Sequence, residues 1–131
     1  MNNVNTAERP RFPKRAIVTA GMPYGNKELH LGHVGGVFVH ADTYARFLRD
    51  RIGKDNVIFV SGTDCYGSPI LENYRQLVEK GEFDGTITDF VQMNHELQKE
   101  VLDKYGISLN LFAASALERA SEIHKELTLE I

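Results

Sequence analysis

Residues 21–36, Gly21 to Gly36, read G-M-P-Y-G-N-K-E-L-H-L-G-H-V-G-G. A short apolar run, Ala16-Ile17-Val18-Thr19-Ala20, precedes this stretch, and a helical pattern follows it. Strand, glycine-rich loop and helix N-terminus, in that order, form a cradle for a nucleotide phosphate. His30 and His33 bracket Leu31-Gly32 where the helix begins. Imidazoles donate hydrogen bonds to phosphate oxygens. Gly32 lets a flat ligand such as adenine reach the backbone. Free N–H groups and the helix dipole favour an anion beside His33. Such a site would stabilise the charge that builds on an α-phosphate under attack, with no proton transfer asked of either histidine. The alternatives are two incidental loop histidines or a metal-binding pair.

Outward from this loop, the pattern is that of an open parallel α/β fold. The run Ala16 to Ala20 suits a strand buried on both faces. From Gly32 to Ile52, Val34, Val37, Phe38, Ala41, Tyr44, Ala45, Leu48 and Ile52 recur in steps of three and four, which predicts an amphipathic helix. Arg46, Arg49 and Arg51 complement the dipole near its C-terminal end, and Gly53 stops it. Asn56 to Ser61 predicts a second strand, and the strand–helix–strand order predicts a right-handed parallel crossover. Ser68-Pro69 read as an N-cap and first helical position of a helix ending at Gly81. Asp89 to Tyr105 is a further helix, with Phe90, Met93 and Leu97 as its core stripe and Gly106 as its stop. Ile107 to Phe112 reads as a third strand. Ser115 with Glu118 suggests a capping box opening a last helix through about Leu127. Two or three strands make an incomplete sheet, which suggests part of something longer.

Composition narrows the class. The chain has 131 residues, 42% hydrophobic and 25% charged, which points to a folded domain with its own core. Its net charge of −3 argues against a basic nucleic-acid-binding domain. The single cysteine, Cys65, leaves no intramolecular disulfide and no Cys-rich zinc site within this chain. The apolar runs are too short to cross a bilayer, and residues 1–14 form a polar tail without a secretory core. A cytoplasmic protein with a flexible N-terminal tail, no membrane partner and no bound metal is expected.

The loop after the second strand, S-G-T-D-C-Y-G-S-P-I from Ser61 to Ile70, is the other candidate. Both loops follow the C-terminal ends of adjacent strands, where open parallel sheets bind ligands. Gly62 to Gly67 has the spacing of a P-loop, but Ser68-Pro69 replace its Lys and Ser/Thr. Asp64 would repel ATP unless a cation, such as an α-ammonium group, lay between them. The bland alternative for Asp64 is a turn or capping aspartate.

P-Y-G-N-K-E-L-H-L-G-H after an apolar strand resembles the first signature of class I aminoacyl-tRNA synthetases, the His-Ile-Gly-His motif. Met22-Pro23-Tyr24 and Asn26 make it more similar to the methionyl-tRNA synthetases, and the segment around Asp64 resembles that family's Asp-x-His-Gly-x-Pro/Lys loop. The resemblance runs from about Arg15 to Leu127. It implies a Rossmann-like parallel sheet with flanking helices over residues 15–131, the first and incomplete half of a class I catalytic domain. It implies that His30 and His33 bind ATP phosphates as the catalytic pair, with Gly32 under adenine and Asn26 in the ATP site. It implies that Gly21, Met22 and Tyr24 shape a methionine pocket and that Asp64 pairs with the α-ammonium. The implied reaction forms methionyl-adenylate and then charges tRNA, which would be held by regions outside this chain. Magnesium would accompany ATP in the complete enzyme.

The chain departs from the family at Tyr66, where histidine is common, at Cys65, and at Asn110, where an acidic residue often follows Ile107-Ser108. No Lys-Met-Ser-Lys-Ser motif occurs in it. A nucleotidylyltransferase with a His-x-Gly-His motif, and a non-catalytic synthetase-like module, are the competing readings; the first usually carries Gly-x-Phe-Asp where this chain has Met-Pro-Tyr. His40, His95 and His124 are expected to be solvated or core-edge residues. Glu96, Lys99 and Glu100 read as a solvated face, and Cys65 as a plain small residue.

Overall fold

The computed structural model describes residues 11–116, together with residues 122, 126 and 128–130. Most of the expected tail, and Glu118 with most of the expected last helix, lie outside the described residues; Ser115 is in a turn, and residues 122 and 126 within that expected span are helical. Three parallel strands, β1 (Ala16–Thr19), β2 (Val57–Thr63) and β3 (Leu111–Ala114), form one sheet in that order. Ala16 to Thr19 lie opposite Val57 to Val60, and Val60 to Thr63 opposite Leu111 to Ala114. The β1–β2 crossover is helical throughout its second half: α1 (Leu31–His33), a π-helical stretch (Val34–Phe38) and α2 (Val39–Ile52) follow without a gap. The β2–β3 crossover carries α3 (Ser68–Glu79) and α4 (Ile87–Lys104).

Two starts differ from expectation. Gly67, at φ 141°, is the N-cap of α3, so Ser68 and Pro69 both lie inside the first turn and no side chain caps it. The chain turns one residue earlier than Ser-Pro suggests because only glycine holds that φ at little cost. At α4, Thr86 Oγ1 accepts from Asp89 N at 3.2 Å and Asp89 Oδ2 accepts from Thr86 N at 2.8 Å. This capping box starts the helix two residues before the predicted Asp89.

The main core joins Val18, Ala20, Val57 and Phe59 of the sheet with Phe38, Ala45, Leu48, Leu102 and Ile107. Residues of α2 and α4 thus pack on one face of the sheet. Consecutive strands joined by right-handed crossovers put both connections on the same side. The other face is open: Ile17 is 71% exposed, Leu111 58% and Ile58 49%. Burial of β1 on both faces, expected from its composition, is therefore not found within these residues.

The core face of α4 also differs from its apolar stripe. Phe90, Val91, Asn94, Gln98 and Leu102 are buried, whereas Met93 is substantially exposed. Two amides occupy the buried face because each has backbone to bond: Asn94 Nδ2 donates to Phe90 O at 2.9 Å, and Gln98 reaches the loop after β1.

β3 starts later than predicted. Ser108 and Asn110 are held by side chains of α2, and Asn110 also bonds the Phe59 backbone of β2 just before the ladder begins. The buried Asp42 carboxylate accepts from Ser108 N at 2.8 Å, from the Ser108 hydroxyl and from Arg46 Nε at 2.7 Å. Arg49 Nη2 donates to Ser108 O at 3.0 Å and to Asn110 Oδ1 at 2.7 Å. Asn110 Oδ1 also accepts from Phe59 N at 2.8 Å, and Asn110 N donates to Phe59 O at 2.7 Å. Arg46 and Arg49, expected merely to complement a dipole, tie α2 to the approach of β3.

Candidate functional site

The loop after β1 does not drift away from the sheet. It continues alongside the end of β2 through a parallel bridge between Tyr24 and Asp64. Asp64 N donates to Pro23 O at 2.8 Å, and Gly25 N donates to Asp64 O at 2.7 Å. Two residues foreseen as parts of one pocket are thus adjacent in space. A Cβ on Gly67 would lie 3.5 Å from Tyr24 Cε1, so the Tyr24 ring lies against the second loop. Met22 Cε would be 3.3 Å from a Cβ on Gly62, which sets its side chain over β2, while Gly21 is exposed with open space around it.

Gly25 explains why the loop lies so close. A Cβ there would meet Val91 Cγ1 at 2.6 Å and Thr63 Cγ2 at 3.0 Å. No larger residue permits that approach without displacing α4 or β2.

Asp64 makes the turn contact foreseen for it. Its Oδ1 accepts from Tyr66 N at 3.1 Å, an Asx-type turn. Among the described residues, Oδ2 has no hydrogen-bond partner. Cys65 is buried, and its N–H donates to Ser115 Oγ at 2.9 Å, which fits the reading as a small packed residue.

His30 and His33 come together at the helix start. Their rings lie 3.9 Å apart, tilted by 31°. Gly32 N donates to His30 Nδ1 at 3.1 Å, and His30 N donates to His33 Nδ1 at 3.4 Å. The two imidazoles form a reciprocal cap. Since each Nδ1 accepts, the neutral rings carry their proton on Nε2. Both histidines therefore hold an Nε2–H donor away from the cap. Burial lowers the His33 pKa, and the nearby His30 and Lys27 lower it further. These effects favour the neutral form of His33.

Two sequence expectations change here. The N–H groups of Gly32, His33 and Val34 are not free for an anion, because His30 Nδ1 takes the first and His30 O the other two. A Cβ on Gly32 would meet His30 Cε1 at 2.9 Å. In this conformation the space above Gly32 holds the His30 ring.

Asn26 stands apart from both groups. Its carbonyl accepts from Asn73 Nδ2 on α3 at 2.6 Å, and its Oδ1 is buried without a hydrogen-bond partner among the described residues. Its amide is tucked under the loop rather than displayed.

Sequence reasoning missed Gln98, Thr63 and the position of His95. Thr63, fully buried at the end of β2, bonds Gln98 Oε1 at 2.9 Å and His95 Nδ1 at 2.8 Å. Gln98 Nε2 donates to Tyr24 O at 2.8 Å and Lys27 O at 2.9 Å. His95 stacks on Phe112 at 5.1 Å and 4°. Burial lowers its pKa, helped by Lys99 and opposed by Glu96. It is the core-edge histidine expected, and it also bonds Thr63, the residue before Asp64. The available signal was the four-residue spacing of Phe90, Asn94, Gln98 and Leu102, which a search for apolar residues passes over.

Among the described residues, no three His, Cys, Asp or Glu side chains are grouped to hold a metal ion, and no helix is long and apolar enough to cross a membrane.

Residues 16–131 match the family model described as tRNA synthetases class I (M). A methionine--tRNA ligase of Chlamydia caviae is 35% identical over 120 residues, covering 92% of this chain and 20% of that relative. A methionine--tRNA ligase of Bacteroides fragilis is 36% identical over 115 residues, covering 87% of this chain and 15% of the relative. The chain thus spans about a fifth or less of the curated relatives it matches. The crystal structure of Mycobacterium tuberculosis methionyl-tRNA synthetase bound by methionyl-adenylate shares the fold, with a TM-score of 0.63 and 24% identity over 78% of this chain and 18% of that one.

Proposed function

Since this chain belongs to the class I tRNA synthetases (M), we propose that it forms the methionine pocket and the ATP-phosphate contacts of a methionine--tRNA ligase. The observation that carries the reading is the Tyr24–Asp64 bridge, which joins an aromatic wall to a carboxylate with a spare oxygen. In this reading Asp64 Oδ2 holds the α-ammonium of methionine, Tyr24 and Met22 contact the thioether side chain, and Gly21 leaves the backbone open to it. His30 and His33 donate from Nε2 to the phosphates of ATP. Gly32 lies against adenine once the His30 ring turns outward. Asn26, whose backbone carbonyl is tied to Asn73 on α3, belongs to the ATP contact set in this reading.

The chemistry is attack of the methionine carboxylate oxygen on the α-phosphorus. The bond from that phosphorus to the bridging oxygen of the β-phosphate breaks, and pyrophosphate leaves. Neutral Nε2–H donors strengthen as charge builds on the phosphoryl oxygens, and neither ring needs to lose its proton. Transfer of the methionyl group to tRNA follows. Magnesium would accompany ATP through its phosphates, and no step here uses it. The lysine-bearing second signature lies elsewhere in this family, so residues 1–131 alone are expected to have weak activity or none. These features favour a synthetase over a nucleotidylyltransferase, which needs no ammonium site.

The test is ATP–pyrophosphate exchange by the protein at its natural length. Exchange that depends on methionine is expected. Exchange driven by another amino acid, or by none, overturns the substrate assignment.

A further inference from the structure

The fully buried amide of Gln98 ties three parts of the site together. Its two Nε2 protons go to the carbonyls of Tyr24 and Lys27, at 2.8 and 2.9 Å. A carbonyl only accepts, so the orientation of this amide is determined and Oε1 must face Thr63. Thr63 Oγ1 has one proton, and it goes to that oxygen at 2.9 Å. His95 Nδ1, 2.8 Å from the same hydroxyl, must then be the donor. Every polar atom of the Gln98 side chain is used, and none is accessible to solvent.

The partners lie where they matter. Tyr24 is bridged to Asp64, and Thr63 immediately precedes Asp64 on β2. Lys27 lies between the pocket residues and the histidine pair. We infer that Gln98 is a positioning residue for amino-acid binding, holding Tyr24 and Asp64 in register through the Tyr24 and Lys27 carbonyls and the Thr63 hydroxyl. It touches no substrate. It acts by clamping a loop that two backbone hydrogen bonds alone would hold loosely at a solvent-facing edge. The inference rests on the methionine reading of this pocket.

The clamp predicts a split between substrates. Methionine meets Tyr24 and Asp64, whereas ATP meets the His30–His33 pair, which is capped independently. In the protein at its natural length, Gln98→Met keeps the volume and removes all three hydrogen bonds. It is expected to raise the KM for methionine about tenfold or more in pyrophosphate exchange while moving the KM for ATP less than about threefold. Thr63→Val is expected to shift methionine in the same direction, and Thr63→Ser, which keeps the hydroxyl, to restore it. The double variant Gln98→Met/Thr63→Val should be no worse than Gln98→Met, because both remove one linked network. Amide hydrogen exchange at Gly25 and Asp64 is expected to quicken in Gln98→Met without a matching change at Gly32. If Gln98→Met does not fold, the Thr63→Val and Thr63→Ser pair carries the test by itself. Equal shifts of both KM values, additive effects, or failure of serine to restore binding would overturn the inference while leaving the methionine reading standing. Loss of methionine dependence in the unsubstituted protein would overturn both.

Discussion

His30 and His33 show what one residue type repeated at a three-residue spacing does. Each Nδ1 closes a hydrogen bond at the helix start, and neither Nε2 is used in that cap. Protonation adds a hydrogen to Nδ1 and breaks the cap. The His33 pKa lies below its ordinary 6.5 in the folded chain. As pH falls through the unfolded value, the unfolded chain takes up the proton first. The stabilisation from neutral His33 is thus full above that value and is lost as pH falls toward the lowered folded value. Melting temperatures measured from about pH 7.5 to about pH 5.5 should fall less steeply in His33→Asn than in the unsubstituted chain; parallel curves would refute the cap's titration. Asp64 carries a different prediction. Its Oδ1 serves a local turn and its Oδ2 has no partner among the described residues, so, on the proposed reading, Asp64→Ala should weaken methionine binding more than ATP binding by calorimetry. Equal losses would count against its ammonium role.

Between elements, α2 and α4 do more than cover the sheet. Through Asp42 and Arg49, α2 grips the segment that leads into β3. Burial by itself would raise the Asp42 pKa, but hydrogen bonds from Ser108 and Arg46, with the charge of Arg46, more than offset it and hold the carboxyl below its ordinary range. Asp42→Ala leaves the Ser108 N–H and hydroxyl without their acceptor and should cost about 2–3 kcal/mol in denaturant unfolding. A loss within about 0.5 kcal/mol would mean that Asp42 is dispensable to this junction. The helix α4 reads differently from its sequence for a related reason. Its buried row includes Asn94 and Gln98, whose bonds run to backbone, and such partners are invisible to an apolar pattern.

At the scale of the molecule, the sheet has one finished face. Ile17, Ile58 and Leu111 line the other, and all three are well exposed. Apolar strands without a cover promote association. Residues 1–131 in isolation should therefore sediment with a concentration-dependent mass, and Ile17→Thr with Ile58→Thr should reduce that dependence. A monomer at all concentrations would show that the face is covered. The proposed site, too, is partial in this chain: the Tyr24–Asp64 bridge and the histidine pair are present, while no Lys-Met-Ser-Lys-Ser motif occurs in this sequence.

The order of strands and helices was legible in the sequence, because short apolar runs, glycine stops and three-to-four spacing are local properties. The placement of His30, His33, Tyr24 and Asp64 in loops at strand ends was legible too. Their contacts were not legible. The bridge between Tyr24 and Asp64, the spare Oδ2, the shared cap of the histidines and the clamp by Gln98 all depend on residues distant in sequence or on hydrogen-bond direction. Only tertiary structure decides which buried polar atom finds which partner, because the cost of leaving one unpaired is set by the packed surroundings rather than by the residue itself.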